Sequence, residues 1–334
     1  MHVWLIVGLA GLLSLVASTR ASAQQSATLT LSGGLDLRAG LQVEPTVETE
    51  TGLSSAFLNV RTVFADAQGD RLILVAQGDV EEGIDNSHLY QAYGQYKGPL
   101  GRWNLRAGRY LVPFGLLAYY DTERLLLAAH EVEALGIKLD EGVELFGYFG
   151  AFDYAVSVSR GYDDRPTPIA RVGWQGQDVR LGLSYLYGRL PSYADDEVVP
   201  LKDLLSGARL INKNRVAIDY EQLFGPLTVR AEPIAGTDDG RFVAGAYLEA
   251  GYALSPRWEL AANAAVLDSD LVGTRWRAGP ALSFRVLPGV FVRGAYEHRN
   301  DFGEATDLFL VQVYGEYSRT WALPSRGKSH GAAP

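Results

Sequence analysis

The chain has no cysteine, and this absence excludes disulfide scaffolds, thiolate metal sites and thiol catalysis together. It has no run of basic residues that would bind nucleic acid, and its net charge is -9. No Gly-x-Ser-x-Gly elbow, zinc-protease His motif or Cys-x-x-Cys-His haem motif is present. The acidic clusters lack the spacing of a calcium loop. We therefore predict no enzyme activity, no cofactor, no metal site and no nucleic-acid partner.

Long hydrophobic runs are also missing once the first residues are set aside. The apolar stretch Val3–Val16 and the small-x-small pattern Ala21-Ser22-Ala23 predict a secretory signal at residues 1–23. An N-terminal membrane anchor is the alternative for this segment. After residue 23 no segment has 18 consecutive apolar residues. If the mature chain, beginning at Gln24, crosses a membrane, it must do so with strands.

Apolar and polar residues alternate strictly along the chain after this segment. Between Thr28 and Glu44 one parity is polar or glycine, and the other is dominated by Leu29, Leu31, Leu35 and Leu37. A period of two predicts strands with one apolar and one polar face. A long series of such strands is typical of a transmembrane antiparallel β-barrel with a polar lumen. A soluble β-sandwich is the alternative fold.

Tight turns and longer polar connections divide the chain into sixteen predicted strands. Seven turns contain Gly or Pro, as tight reversals require: Gln68–Asp70, Gly98–Gly101, Gly150–Asp153, Gly176–Asp178, Phe224–Pro226, Ser255–Pro256 and Pro288–Gly289. Eight longer connections lie between them, at 45–54, 82–88, 112–141, 161–167, 189–212, 236–240, 268–273 and 300–306. The even count places both termini at the turn end of the barrel. The predicted barrel covers residues 24–321, and a polar tail covers 322–334.

The outward parity places aromatic residues near the turn end of several strands. Amphipathic rings at that level are typical of the girdle at a membrane interface. They are Tyr96, Trp103, Phe149, Trp174, Tyr252, Trp258 and Phe284. Arg109 also falls on this parity, so we expect a bulge or an interfacial position to accommodate its charge.

The inward parity is rich in arginine. We predict a pore-lining basic wall formed by Arg38, Arg61, Arg106, Arg275, Arg277, Arg285 and Arg293. Their guanidinium groups stay charged at any physiological pH. Acidic residues occur on the same parity, for example Asp36, Glu144 and Glu297. Ion selectivity and cross-strand ion pairing therefore explain the arginines equally well.

The connection 112–141 after the fifth strand is unusually apolar for a surface loop, with Leu125-Leu126-Leu127 as one example. This composition favours a loop that folds into the barrel. Its charged residues would then lie opposite the basic wall and create a transverse field at a constriction. The candidate constriction residues are Asp121, Glu123, Arg124, Glu131 and Glu133.

The start of this connection resembles a known family. The segment Ala107-Gly108-Arg109-Tyr110-Leu111-Val112-Pro113-Phe114-Gly115-Leu116 is similar to a Gly-basic-aromatic-x-x-Pro-Phe-Gly segment of phosphate-selective porins O and P. The resemblance implies a sixteen-stranded trimeric porin with a loop inside its lumen. Phosphate specificity is not carried over, because that family uses many lysines and this chain has five lysines and is net acidic.

These observations together predict a bacterial outer-membrane porin. It would be a homotrimer in outer-membrane lipid that passes small ions and polar solutes with weak anion preference. Two other classes stay open. One is a barrel that acts as a sheath or scaffold for a partner, such as a redox protein that spans the membrane. The other is a barrel enzyme, which the missing nucleophile and base motifs disfavour.

Overall fold

The computed structural model describes residues 26–43, 47–67, 69–81, 87–116, 137–161, 163, 165–191, 210–270, 273–301 and 303–323. Sixteen antiparallel strands form one closed barrel in which every strand pairs with its neighbours in sequence. The first strand pairs with the last, from Ala27 opposite Leu323 to Val43 opposite Asp307. The prediction of a sixteen-stranded β-barrel is therefore confirmed. Among the described residues, no helix is both long enough and apolar enough to cross a membrane.

The strands are β1 Ser26–Val43, β2 Val47–Asp66, β3 Gly69–Glu81, β4 Ser87–Lys97, β5 Asn104–Leu111, β6 Leu139–Phe149, β7 Phe152–Ser159, β8 Thr167–Gln175, β9 Val179–Pro191, β10 Leu210–Phe224, β11 Leu227–Asp238, β12 Arg241–Ala253, β13 Trp258–Ser269, β14 Gly273–Leu287, β15 Val290–Asp301 and β16 Glu304–Leu323. β16 thus extends two residues beyond the predicted barrel end at Trp321. The predicted signal 1–23 and the tail from residue 324 lie outside the described residues.

The outer surface of the barrel is apolar because alternate residues of each strand point away from the lumen. Along β9, for example, Leu181, Leu183, Tyr185 and Tyr187 are all exposed, whereas Ser184 and Leu186 between them are buried. β1, β7, β13 and β16 repeat this pattern. A continuous apolar exterior of this size is incompatible with water and is what contact with lipid requires.

The seven predicted turns all join strands in the structure, and they lie at the same end of the barrel as Ser26 and Leu323, called here the turn end. The eight other connections lie at the opposite end, called here the loop end. Most of them are shorter than predicted. The connection predicted at 45–54 covers only 44–46 in the structure, and the one predicted at 300–306 covers only 302–303. Polar residues such as Glu48 and Glu50 continue the ladder between β1 and β2. A strand that is polar on both faces has no alternation, so its sequence cannot be distinguished from that of a loop.

Arg109 is accommodated by a bulge, one of the two solutions expected from its position on the outward parity. The register between β3 and β4 shifts at Tyr90, since Gln77 pairs with Gln91 and Gly78 pairs with Leu89. The Arg109 Nε donates a hydrogen bond of 3.1 Å to the Tyr90 carbonyl oxygen. The bulge therefore supplies the acceptor that the guanidinium needs on this face.

The predicted girdle residues lie at the turn end and contact one another on the outer surface. Tyr96 packs against Trp103 with ring centroids 5.5 Å apart, and Trp258 packs against Phe284 at 4.6 Å. Phe149 pairs with Phe152, which in turn pairs with Trp174 on the next strand. Aromatic pairs across neighbouring strands stabilise the sheet as well as providing an amphipathic ring.

Candidate functional site

The candidate site is the lumen, which the two described ends of the connection after β5, residues 112–116 and 137–138, line near the loop end. The two ends of this connection are joined by a hydrogen bond of 3.0 Å from the Val112 amide to the Lys138 carbonyl oxygen. Phe114, Leu116 and Ile137 are buried against the inner face of the barrel. They pack with inward-facing residues of six strands: Ile169, Leu186, Leu190, Ala217, Ile234, Val243, Tyr247, Ala265 and Leu267. The described ends of the connection are thus anchored inside the barrel.

Two hydrogen bonds fix this anchor to the opposite strands. The Gly115 amide donates to Ser184 Oγ on β9 at 3.1 Å, and the Leu116 amide donates to Glu232 Oε2 on β11 at 3.0 Å. Gly115 has φ of +67°, and a Cβ at this position would overlap Glu232 Oε1. Only glycine meets both conditions, since other residues adopt this conformation at a cost.

Gly108, at the start of the same segment, is equally constrained. Its φ is +126°, and an added Cβ would overlap the Ala92 carbonyl oxygen of the neighbouring strand. The local backbone structure therefore explains why both ends of the Gly-Arg-Tyr-x-x-Pro-Phe-Gly segment are glycine. The first allows close approach of β4 and β5, and the second allows the chain to turn into the lumen.

Buried ion pairs also lie on this inner face, on both the turn side and the loop side of the anchor. Arg171 bonds both Asp153 and Asp219, and the Asp219 contact measures 2.8 Å with both side chains fully buried. Arg215 bonds Asp238 in the same way. We call the inward-facing residues of β8–β13 the packed wall, because apolar side chains and neutralised ion pairs occupy it together. Such pairs hold position, but they leave little net charge for a passing ion.

The seven predicted arginines fall into two groups on the inward parity. Arg38 bonds Asp36 at 2.7 Å, Arg106 lies 3.4 Å from Glu144, and Arg277 lies 3.7 Å from Glu297. Ion pairing therefore applies to these three. Among the described residues, no acidic side chain pairs with the others. These others, which we call the basic wall, are Arg61, Arg275, Arg285 and Arg293.

The basic wall lies outside the packed wall, on β2, β14 and β15, and adjoins it where β14 pairs with β13. Arg61 and Arg285 are exposed to the lumen, and Arg275 and Arg293 are half-buried. Because the closed sheet places β14–β16 next to β1 and β2, these arginines share one continuous section of inner surface. Uncompensated guanidinium groups in a narrow aqueous space attract anions more strongly than paired ones do.

The five predicted constriction residues lie outside the described residues. The anchor residues Ser184 and Glu232, which the structure reveals, were not predicted as site residues from sequence. They lie 69 and 116 positions from the amides that they bind, and no local pattern connects them. Within the described residues, no group of three His, Asp or Glu side chains is placed to hold a metal ion.

Comparisons with known proteins agree with this architecture. No protein-family model matches the chain, and no curated protein matches it. Solved structures do match. An anion-selective porin from Comamonas acidovorans superposes with a TM-score of 0.67 and 12% identity, over 87% of this chain and 100% of that one. The outer-membrane channel DcaP of Acinetobacter baumannii has a TM-score of 0.62 and 12% identity, over 87% and 97%.

A third match is OmpT of Vibrio cholerae, an outer-membrane protein, with a TM-score of 0.65 and 10% identity over 89% of this chain and 99% of that one. At these identities the likeness is one of fold, namely the barrel fold that porins share. The resemblance to the phosphate-selective O and P family stays a prediction, since it depends on the single segment 107–116.

Proposed function

We propose that the protein is a porin of the bacterial outer membrane, a passive channel for small polar or ionic solutes. One observation supports this most directly. A closed sixteen-stranded barrel has an apolar exterior and an inner surface with charged side chains on nearly every strand. An apolar exterior matches lipid, and a charged lumen matches a water-filled path through it. The proposal includes the signal at residues 1–23 and a homotrimer, and it assigns no enzyme activity.

Weak anion preference is the second part of the proposal. The paired arginines contribute little, because each shares its field with a carboxylate a few ångströms away. The basic wall retains its charge and is the part that would favour anions. The acidic constriction residues Asp121, Glu123, Glu131 and Glu133 would oppose it, which limits the preference. The packed wall already occupies one side of the lumen, and this leaves little room for a folded partner.

Planar-bilayer recording of the purified protein tests the channel. We expect discrete open steps, with a reversal potential in a KCl gradient that is displaced slightly toward chloride. A barrel that inserts but conducts no ions would overturn the porin and favour the sheath or scaffold. Insertion is checked independently by heat-dependent migration of the folded barrel in a gel.

A further inference from the structure

One part of the basic wall combines two arginines that form no described ion pair with stacked aromatic rings. The Phe291 and Tyr314 rings face the lumen on adjacent strands, 4.9 Å apart and inclined by 17°. The Arg293 guanidinium carbon lies 4.1 Å from the centre of the Phe291 ring. Tyr314 is almost fully buried, whereas Phe291 is half-buried. Three planar groups thus stack on the wall, and two of them remain accessible from the lumen.

Arg285 completes this arrangement from the next strand. It lies directly opposite Phe291 in the ladder between β14 and β15, and its side chain is exposed. Arg293 donates a hydrogen bond of 3.0 Å from Nε to Ser283 Oγ. Two guanidinium groups therefore flank one ring without a described carboxylate paired to either.

A cavity of about 360 Å³ lies at this point, near the turn end, lined by Arg285, Pro288, Val290, Phe291, Tyr314 and Glu316. The Glu316 amide donates to the Gly289 carbonyl oxygen at 2.8 Å, so the turn between β14 and β15 is held against β16. This volume is at the lower end of the range for small-molecule sites, roughly 300–1,000 Å³. The cavity therefore suits a ligand with about one ring.

We propose that this cavity is a subsite for aromatic monocarboxylates, which the channel binds in passage. The inference rests on the proposed function and names a solute class for it. A guanidinium group binds a carboxylate through two parallel hydrogen bonds, and aromatic rings add to a planar stack. The Glu316 carboxylate, which accepts a hydrogen bond of 3.1 Å from the Tyr314 hydroxyl, disfavours an anion with a second charge. A ligand with one carboxylate and one aromatic ring can bind both the guanidinium groups and the aromatic stack.

Equilibrium dialysis of the folded, detergent-solubilised barrel with radiolabelled benzoate tests the subsite directly. We expect saturable binding that Arg285→Gln weakens about tenfold or more, since one charge-assisted contact is lost. Phe291→Leu should weaken it as well. Arg61→Gln is the matched control, because Arg61 is also an exposed, uncompensated arginine of the basic wall but lies outside the cavity. Binding that is unchanged in Arg285→Gln, or equally weakened in Arg61→Gln, would overturn the proposal.

Competitors and conductance separate the remaining outcomes. Cyclohexanecarboxylate has the same charge without an aromatic ring and should compete poorly, and glucose should not compete. Equal competition by cyclohexanecarboxylate would reduce the site to a simple anion site, and competition by glucose would indicate a sugar site. A conducting barrel with no saturable benzoate binding overturns the subsite alone. A silent barrel that binds benzoate overturns the channel and leaves the subsite in place.

Discussion

The packed wall and the basic wall have the same backbone architecture but opposite physical roles. On the packed wall, Leu186, Ile234 and Leu267 are buried against the anchored connection, and Arg171 is neutralised by two carboxylates. On the basic wall, Arg61 and Arg285 are exposed and have no described acidic partner. One side of the lumen therefore behaves as a protein core, whereas the other remains available to water and solutes.

The comparison shows that a residue on the inward parity of a strand does not necessarily line the pore. A side chain that points inward contacts water only where no other part of the chain covers it. Charge on the packed wall contributes to stability, because its partners are fixed and desolvated. Charge on the basic wall contributes to the field in the lumen, since no described carboxylate forms an ion pair with it. Substitutions of the same kind should have different consequences on the two walls.

The largest expected effect is on stability, from Arg171→Leu in the packed wall. The substitution leaves the fully buried Asp219 without its guanidinium partner, which costs about 3–5 kcal/mol when one member of a buried pair is removed. The same replacement in the basic wall, Arg61→Leu, should change stability by no more than about 0.5 kcal/mol. Urea unfolding in micelles, followed by tryptophan fluorescence, measures both. Similar losses in the two variants would erase the distinction between the walls.

A smaller effect is expected from Gly115→Ala, which disturbs the anchor. The positive φ alone costs about 1–2 kcal/mol for a residue with a Cβ, and the new atom also displaces Glu232 Oε1. Gly101→Ala is the control, because Gly101 has the same φ of +67° but open space around it. We expect Gly115→Ala to be the less stable of the two and to show noisier open-channel current, as its connection is released from the wall. If the two variants show identical current and stability, the contact with Glu232 does not hold the connection.

Strand number and turn positions follow from the sequence, because they depend on local chemistry. Gly225 and Gly289, for instance, have φ of +60° and +79°, and each lies in a turn that the sequence places correctly. The extent of strands at the loop end could not be predicted in this way. β2 begins at Val47 with residues that are polar on both faces, so only pairing with β1 shows that they form a strand.

The packed wall is visible in the sequence as apolar residues on the inward parity, although the overall alternation makes them hard to notice. Leu186 and Leu190 lie on the inward parity of β9, where the pattern calls for polar residues. Ile169 and Ile234 repeat this exception on β8 and β11. Apolar residues on the wrong parity of several neighbouring strands indicate that something apolar covers them. What covers them could not be identified locally, because Phe114 and Leu116 come from a connection far away in the chain.

The smallest energetic effect, but the most direct functional one, concerns ion choice. Replacing Arg275, Arg285 and Arg293 together by Gln removes three charges that form no ion pair with a described acid. The reversal potential in a KCl gradient should then move toward the potassium potential, since the remaining lumen charge is more acidic. The double variant Arg106→Gln with Glu144→Gln is the control, because it removes one ion pair and leaves the net charge unchanged. The shift should also be larger near 0.1 M salt, where charges act over about 10 Å, than near 1 M, where they act over about 3 Å. A shift of equal size in the control, or one that salt does not reduce, would mean that the basic wall lies outside the ion path.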